Sequence, residues 1–194
     1  MTTFTCSLPF GCVTHRQLYQ VPLLEQVEGI LAQRPAALLL REKDLNPEVY
    51  RQLARQVLSL CRRAGVPCIL HFYPEAAREL RPEGLHLPLP VLERLRPEER
   101  AALPPLGASC HSLKDVLTAA KLGTARVTLG HIYTTACKPN LAPRGVTLLQ
   151  EVCRRSPVPV WAIGGVTREK LPELAAAGAA GAWGMGAFAQ LPEK

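Results

Sequence analysis

Hydrophobic and polar positions along the chain alternate between two periods. Amphipathic stretches, such as residues 46–65, are separated by short apolar runs, such as residues 66–70. The first pattern is typical of helices that bury one face, and the second of strands buried on both faces. Asn46 and Pro47 suit the beginning of a helix, and Gly65 suits its end. The same pair of patterns recurs toward the carboxyl terminus, which predicts a repeated unit of strand and helix.

Eight apolar runs are predicted to be strands, near residues 4–9, 36–41, 67–72, 84–87, 106–110, 126–130, 158–163 and 180–185. Repeated strand–helix units imply parallel strands joined by right-handed crossovers. Eight such units favour a closed barrel over an open sheet. We therefore predict an α/β fold, a single (β/α)8 TIM barrel that forms one domain over residues 1–194. Its third, fourth and eighth helices are predicted to be short.

The composition is that of a soluble globular chain, with 47% hydrophobic and 20% charged residues. No apolar run approaches the ~20 residues of a membrane span. The amino terminus lacks a basic start and an apolar signal core, so we expect a cytoplasmic protein without a membrane partner. Seven cysteines without a C-x-x-C pair favour reduced thiols. A zinc site is the alternative, but the ligand spacing is missing.

The net charge of +7 is open to more than one explanation. Nucleic acid is not an expected partner, because no basic run exceeds two residues and no aromatics are interleaved with the basic residues. A small anionic substrate accounts for the charge more simply. A surface rich in arginine and proline, as in some thermophiles, is the remaining explanation.

Two glycine-rich strand ends, AIGGVT at 162–167 and GAWGMGAF at 181–188, carry the strongest chemical signal. Bare backbone N–H groups at such ends can surround a phosphate. TIM barrels often bind phosphate after their last two strands. The alternative is tight packing between strand and helix, which also needs small residues.

Charged side chains follow the predicted strand at residues 36–41. Arg41 and Lys43 alternate with acidic residues, so both cations project in one direction. Two cations at the end of a strand suit a carboxylate or a phosphate. The alternative is a solvated loop in which Glu42 and Asp44 balance the charge.

The histidines differ in what their positions predict. His131 follows Gly130 at a strand end, and an imidazole with a pKa of ~6.5 can both take and give a proton near neutral pH. A purely structural histidine is the alternative. His111 precedes Ser112, a predicted helix cap, and is expected to be exposed. No chemistry is predicted for the remaining three: His15, His71 and His86.

Six segments, in this order and spacing, resemble the thiamine phosphate synthase/TenI superfamily of (β/α)8 barrels: LLREKD, GASCHS, GHIYTTACKP, PRGV, VPVWAIGGVT and GAAGAWGMGAF. The resemblance is clearest from about residue 105 to 188. The synthases of this superfamily join a pyrimidine diphosphate to a thiazole phosphate with Mg²⁺, using acidic residues after the third and fourth strands. In this chain those positions read His71-Phe72-Tyr73 and Pro88-Leu89-Pro90-Val91, without a carboxylate. Because Mg²⁺ needs oxygen ligands, the transferase chemistry is expected to be lost.

The TenI-type branch carries Gly-His, Cys-Lys and Arg-Gly pairs, which this chain matches at 130–131, 137–138 and 144–145. The resemblance implies an isomerase, a thiazole tautomerase of thiamin biosynthesis, that needs no cofactor and no metal. Its substrate would be a small phosphorylated carboxythiazole. His131 would be catalytic, and Gly165, Met185 and Gly186 would bind the phosphate. Substrate positions of the superfamily correspond to Arg41, Lys43, Ser109, Thr135 and Lys138.

Three alternatives stay open at this stage. The chain is a synthase with unusual metal ligands, a non-catalytic barrel that binds thiazole phosphate or regulates, or a barrel of another phosphate chemistry that shares the glycine loops. The oligomeric state is also left open, with a homodimer as the alternative to a monomer.

Overall fold

The computed structural model describes residues 8–135 and 140–190 and contains a closed barrel of eight parallel strands in the order β1 to β8. The strands are β1 Phe10–Val13, β2 Leu38–Leu40, β3 Cys68–His71, β4 Gly84–Pro88, β5 Leu106–Cys110, β6 Arg126–Gly130, β7 Val160–Ile163 and β8 Gly181–Gly184. Each strand pairs in parallel with the next, and β8 pairs with β1. The predicted TIM barrel is confirmed.

Helices connect the strands on the outside of the barrel. They are α1 Leu23–Ala32, α2 Pro47–Ala64, α3 Pro74–Leu80, α4 Leu89–Arg94, α5 Pro97–Ala101, α6 Leu113–Lys121, α7 Gly145–Arg155 and α8 Leu171–Ala176. The connections predicted to be short are short: α3 has seven residues, two small helices follow β4, and a 3₁₀ turn at Gly186–Phe188 follows β8. Across the described ranges, no helix combines the length and the apolar character needed to cross a bilayer.

Helix α2 shows how local sequence sets an element. The Asn46 side chain accepts a hydrogen bond from the Val49 N–H at 2.9 Å, and Pro47 occupies the first turn. Gly65 ends the helix with φ of +67°, a conformation that glycine adopts without steric cost. The face that packs toward the barrel comprises Tyr50, Ala54, Val57, Leu58 and Cys61.

Large and small residues complement each other inside the barrel. The Trp161 and Trp183 rings lie 4.6 Å apart between centroids. A methyl group added at Gly181 would lie 2.4 Å from the Trp161 ring, and one at Gly11 would lie 2.3 Å from the Trp183 ring. The indoles therefore fill the interior because glycines on neighbouring strands leave room for them.

Two predicted boundaries are wrong. The first strand begins at Phe10 rather than within 4–9, because it is the run FGCV that pairs with both β2 and β8. The run TREKLPELAAAG predicts one helix over residues 167–178, but these residues form a 3₁₀ turn and then α8. Pro172 has no N–H to donate to the Arg168 carbonyl four residues earlier, which removes the first α-helical hydrogen bond.

Candidate active site at the mouth of the barrel

The predicted site residues lie at the mouth of the barrel, meaning the ring formed by the carboxyl ends of β1–β8. Arg41 and Lys43 follow β2, Ser109 lies in β5, His131 directly follows β6, and Thr135 lies farther along the same loop. Gly165 follows β7, and Met185 and Gly186 follow β8. Lys138 falls outside the described residues. In the ring of eight strands, β7 and β8 lie opposite β3 and β4.

His131 is buried, with 5% of its surface exposed. A methyl group at Gly164 would lie 2.2 Å from the His131 Cβ, so the chain after β6 packs directly against the end of β7. Two backbone hydrogen bonds, from Ile132 N to Ile163 O and from Tyr133 N to Gly164 O, extend the pairing beyond the strands. His131 is therefore held by backbone contacts as well as by its own ring.

The His131 ring has a defined hydrogen bond. Its Nε2 lies 3.1 Å from the Leu141 carbonyl oxygen. A carbonyl can only accept, so the ring donates from Nε2, and a neutral ring then carries its lone pair on Nδ1. The backbone N–H of Arg144 donates to the His131 carbonyl at 2.8 Å, which holds the loop that supplies Leu141. This arrangement suits Nδ1 to act as a general base.

The glycines after β7 have a packing role. Gly164 and Gly165 have φ of +97° and +64°, and a methyl group at Gly165 would lie 2.4 Å from the Thr134 carbonyl oxygen. Small residues are therefore required here by close packing, as one alternative anticipated. Gly186 differs, because a methyl group there would meet nothing within 4 Å.

Backbone donors are nevertheless available at both strand ends. The N–H groups of Gly165 and Gly186 have no acceptor among residues 8–135 and 140–190. Lys170, which the sequence analysis did not single out, donates from Nζ to the Gly165 carbonyl at 2.7 Å and lies 4.2 Å from the centre of the Tyr133 ring. Backbone N–H groups without an acceptor suit an anion. We call Gly165, Gly186 and Lys170 together the β7–β8 side.

The two acidic residues after β2, Glu42 and Asp44, both pair with Arg16 on the loop after β1. Glu42 is 2% exposed and accepts hydrogen bonds from Thr14 Oγ1 at 2.8 Å and from Arg16 Nη1 at 3.0 Å. Thr14 Oγ1 in turn accepts from the Arg41 backbone N–H at 2.9 Å. Glu42 thus fixes the backbone that carries Arg41 and Lys43.

His71 and His86 form the main feature that the sequence analysis missed. They are register partners on β3 and β4, their ring centroids are 6.0 Å apart, and each is 4% exposed. His86 Nε2 lies 2.9 Å from Ser109 Oγ on β5. Strand alternation carried a usable signal, because Ile69 belongs to the cluster inside the barrel and His71 is two residues further along the same face. The row of His71, His86 and Ser109, together with Arg41 and Lys43, is the β2–β5 side.

Both imidazoles are held neutral. Burial lowers the pKa of His71 to about 2, with further lowering by His86, Lys43 and Arg41. Burial lowers the pKa of His86 to about 3, aided by the positive charges of Arg126 and Lys43. Groups with such pKa values donate and accept hydrogen bonds near pH 7 but are poor proton acceptors. Neither of these two histidines is therefore suited to take a proton from a substrate near neutral pH.

His111 and Ser112 behave as predicted. His111 is exposed, and Ser112 Oγ accepts from the Asp115 N–H at 3.1 Å at the start of α6. The His111 ring also reaches β6, with Nδ1 2.6 Å from the Gly130 carbonyl oxygen.

The residues present do not fit the Mg²⁺ ion that the resemblance to synthases implies. In the described part of the chain, no three side chains of His, Cys, Asp or Glu cluster in a way that could hold a metal ion. The ends of β3 and β4 offer neutral imidazoles, whereas Mg²⁺ prefers carboxylate and other oxygen ligands. Glu42, the buried carboxylate nearby, is committed to Thr14 and Arg16.

Comparison with known proteins gives consistent matches. The family model described as thiamine monophosphate synthase, TMP-TENI, matches residues 10–188. The chain is similar to the thiamine-phosphate synthase of Roseiflexus castenholzii, with 31% identity over 165 residues, covering 82% of this chain and 71% of that protein. It is also similar to the thiamine-phosphate synthase of Bacillus velezensis, with 34% identity over 157 residues, covering 77% and 69%. Among solved structures, thiamine phosphate pyrophosphorylase from Pyrococcus furiosus has a TM-score of 0.81 at 23% identity, covering 94% of this chain and 88% of that one, which supports the fold.

Proposed function

The chain belongs to the thiamine monophosphate synthase (TMP-TENI) family, and on this premise we propose that it is a thiazole tautomerase, a metal-independent isomerase of thiamin biosynthesis. The observation that carries the proposal is His131. It is a buried imidazole whose Nε2 donates to the Leu141 carbonyl, and it lies after β6, between the β7–β8 side and Ser109 on β5.

The proposed substrate is a non-aromatic thiazole that carries an exocyclic ylidene carbon, a ring carboxylate and an ethyl phosphate. Nδ1 of His131 removes the proton from ring carbon C2. The imidazolium then gives a proton to the exocyclic carbon, and the double bonds shift so that the ring becomes aromatic. The reaction moves one proton and leaves the atoms and charge of the substrate unchanged, so no cofactor is required. Aromaticity supplies the driving force.

The two sides of the mouth support the same assignment. A phosphate would bind the backbone N–H groups of Gly165 and Gly186. Met185, which lies between β8 and the 3₁₀ turn, remains a predicted phosphate contact. The β2–β5 side, with Arg41 and Lys43, would receive the other end of the ligand. Thr135 lies on the loop after β6. Thr135 and Lys138, the latter outside the described residues, remain predicted substrate contacts. A ligand with one anionic group at each end would thus cross the mouth with its ring near His131.

A second candidate is thiamine-phosphate synthase, and the names of the relatives favour it. This reading needs Mg²⁺ and the release of pyrophosphate. The donor set at the ends of β3 and β4 argues against it, because the described residues there offer imidazoles and no carboxylate.

One experiment with two arms separates the candidates. The protein is treated with EDTA and incubated with the ylidene isomer in D₂O, and ¹H NMR follows the ring and side-chain protons. We expect aromatic carboxythiazole phosphate with deuterium on the former ylidene carbon. In the second arm, the protein receives Mg²⁺, the pyrimidine diphosphate and the thiazole phosphate. Thiamine phosphate formed there, without product in the first arm, would establish the synthase. Ligand binding without turnover in either arm would establish a non-catalytic binding protein.

A further inference from the structure

We propose that His71, Ser109 and Arg41, supported by His86, form a subsite for the carboxylate of a planar heteroaromatic acid. This inference rests on the proposed function, since it assigns the end of the substrate opposite the phosphate. It adds a role for two histidines to which the sequence resemblance gave none.

The hydrogen bonding of the two imidazoles determines what they can offer a ligand. Nδ1 of His71 and Nδ1 of His86 are both buried without a partner among the described residues. A buried N–H without an acceptor is more costly than an unused lone pair, so each neutral ring carries its proton on Nε2. For His86, the Nε2–H then donates to Ser109 Oγ, 2.9 Å away.

This choice of tautomer leaves two donors at the mouth. The Ser109 hydroxyl accepts from His86, so its own hydrogen is free to point at a ligand. Nε2 of His71 has no hydrogen-bond partner among the described residues, and unlike Nδ1 it is not fully buried. His71 on β3 and Ser109 on β5 belong to the inward face of the barrel, on either side of β4, which carries His86. The row therefore presents an N–H and an O–H on the inward face at the mouth of the barrel.

The charge around this row selects an anion. The positive charges of Arg41 and Lys43 act on His71, and that of Lys43 also acts on His86. The Arg41 guanidinium makes no hydrogen bond to a described residue, whereas Glu42 and Asp44 pair with Arg16. A planar guanidinium whose charge acts on His71 matches a carboxylate, which can accept hydrogen bonds at both oxygens. A diphosphate fits less well, since its higher charge is usually shared with a metal ion.

The backbone next to His71 is also unusual. Phe72 has φ of +76°, a conformation that is an outlier for a bulky residue, and its N–H donates to the His86 carbonyl at 3.1 Å. Costly conformations of this kind cluster at ligand sites. Here the bond ties the end of β3 to β4 and fixes the spacing of the two imidazoles.

Calorimetric titration with two ligands tests the subsite without turnover. The first is the aromatic carboxythiazole phosphate, and the second is the same compound without the carboxylate. The wild type is expected to bind the first ligand at least about tenfold more tightly than the second, which is the ratio of affinities expected when hydrogen bonds to a charged group are lost. In His71→Phe, we expect this preference to fall to about twofold, with unchanged affinity for the compound that lacks the carboxylate. His71→Asn provides a second variant, and His111→Gln is the matched control at an exposed histidine.

Each other outcome has a definite meaning. Equal affinity for the two ligands in the wild type would overturn the subsite while leaving the phosphate assignment intact. An undiminished preference in both His71 variants, with circular dichroism showing that they are folded, would overturn it as well. If inorganic pyrophosphate binds in the presence of Mg²⁺ and His71→Phe weakens that binding, the row of His71, His86 and Ser109 serves a diphosphate and the proposal fails. Binding of neither thiazole ligand to the wild type would contradict the proposed function itself.

Discussion

The two sides of the mouth would hold an anion by different means. The β7–β8 side relies on backbone N–H groups, and close packing requires glycine at Gly164 and Gly165. The β2–β5 side relies on side chains, whose position depends on strand register and on a buried carboxylate, Glu42. A backbone site leaves a recognisable glycine pattern in the sequence. A side-chain site assembled from four strands does not.

The largest expected effect comes from the residue between the two sides. His131→Ala removes the group proposed to move the proton, and general acid–base catalysis typically contributes ~10²–10⁴-fold. We expect turnover of the ylidene isomer to fall by a comparable factor, while the affinity for the aromatic product changes little. Steady-state kinetics and calorimetry measure the two effects separately. His111→Gln, which keeps a donor for the Gly130 carbonyl, should change turnover by no more than about twofold. Normal turnover in His131→Ala would remove His131 from the mechanism.

The β2–β5 side should be sensitive to acid. His71 and His86 have pKa values of about 2 and about 3 in the folded protein, below the value of ~6.5 expected in the unfolded chain. Between pH 6.5 and pH 3 the unfolded state binds more protons than the folded state. The contribution of the two neutral imidazoles to the free energy of unfolding is therefore complete above pH 6.5 and is lost as the pH falls toward 3. Each imidazole contributes a slope of at most about 1.4 kcal/mol per pH unit.

Urea unfolding at a series of pH values measures this slope. In His71→Phe, the slope of the unfolding free energy against pH between pH 6 and pH 4 should fall by about 1.4 kcal/mol per pH unit, which corresponds to one proton fewer taken up on unfolding. An unchanged slope in that variant would show that His71 titrates normally in the folded protein.

The β7–β8 side should be sensitive to added volume. Gly165 and Gly65 have similar φ, +64° and +67°, but a methyl group at Gly65 would meet nothing within 4 Å. We expect Gly65→Ala to lower the free energy of unfolding by about 1 kcal/mol, from backbone strain alone. Gly165→Ala should cost about 2–4 kcal/mol, because the new methyl group also approaches the Thr134 carbonyl and the Tyr133 side chain. Equal losses on urea unfolding would mean that the loop after β6 yields easily.

The smallest expected effect concerns the support of the cations. Glu42→Gln keeps the shape of a buried side chain but weakens its hydrogen bonds with Arg16 and Thr14. We expect a loss of about 1–2 kcal/mol in unfolding free energy, as for hydrogen bonds to a charged group. Asp44→Asn is the matched control, since the Asp44 side chain is 50% exposed, and it should cost no more than about 0.5 kcal/mol. Identical losses in the two variants would contradict a specific role for Glu42.

The sequence predicted the barrel because each apolar run is short, buried and separated by an amphipathic helix. Strands β5 and β6 have the predicted bounds, 106–110 and 126–130. Strand β1 was placed too early, because pairing with β2 and β8 decides where it begins, and that pairing is not local. The contact between Thr14 and Glu42 joins residues 28 positions apart and depends on the same register.

The candidate site was predictable in part for the same reason. His131 stands next to a glycine at a strand end, which is a local signal. His71 and His86 were dismissed one at a time, although alternation from Ile69 placed His71 on the inner face. Their meaning depends on being neighbours across β3 and β4, and on Arg41 and Lys43 nearby, which only the folded barrel brings together.

A crystal structure of the protein with aromatic carboxythiazole phosphate tests the central claim most directly. We predict the phosphate on the N–H groups of Gly165 and Gly186, the carboxylate against His71 and Ser109, and the His131 ring in contact with the thiazole. A phosphate bound among Arg41 and Lys43, or a thiazole out of reach of His131, would contradict the account.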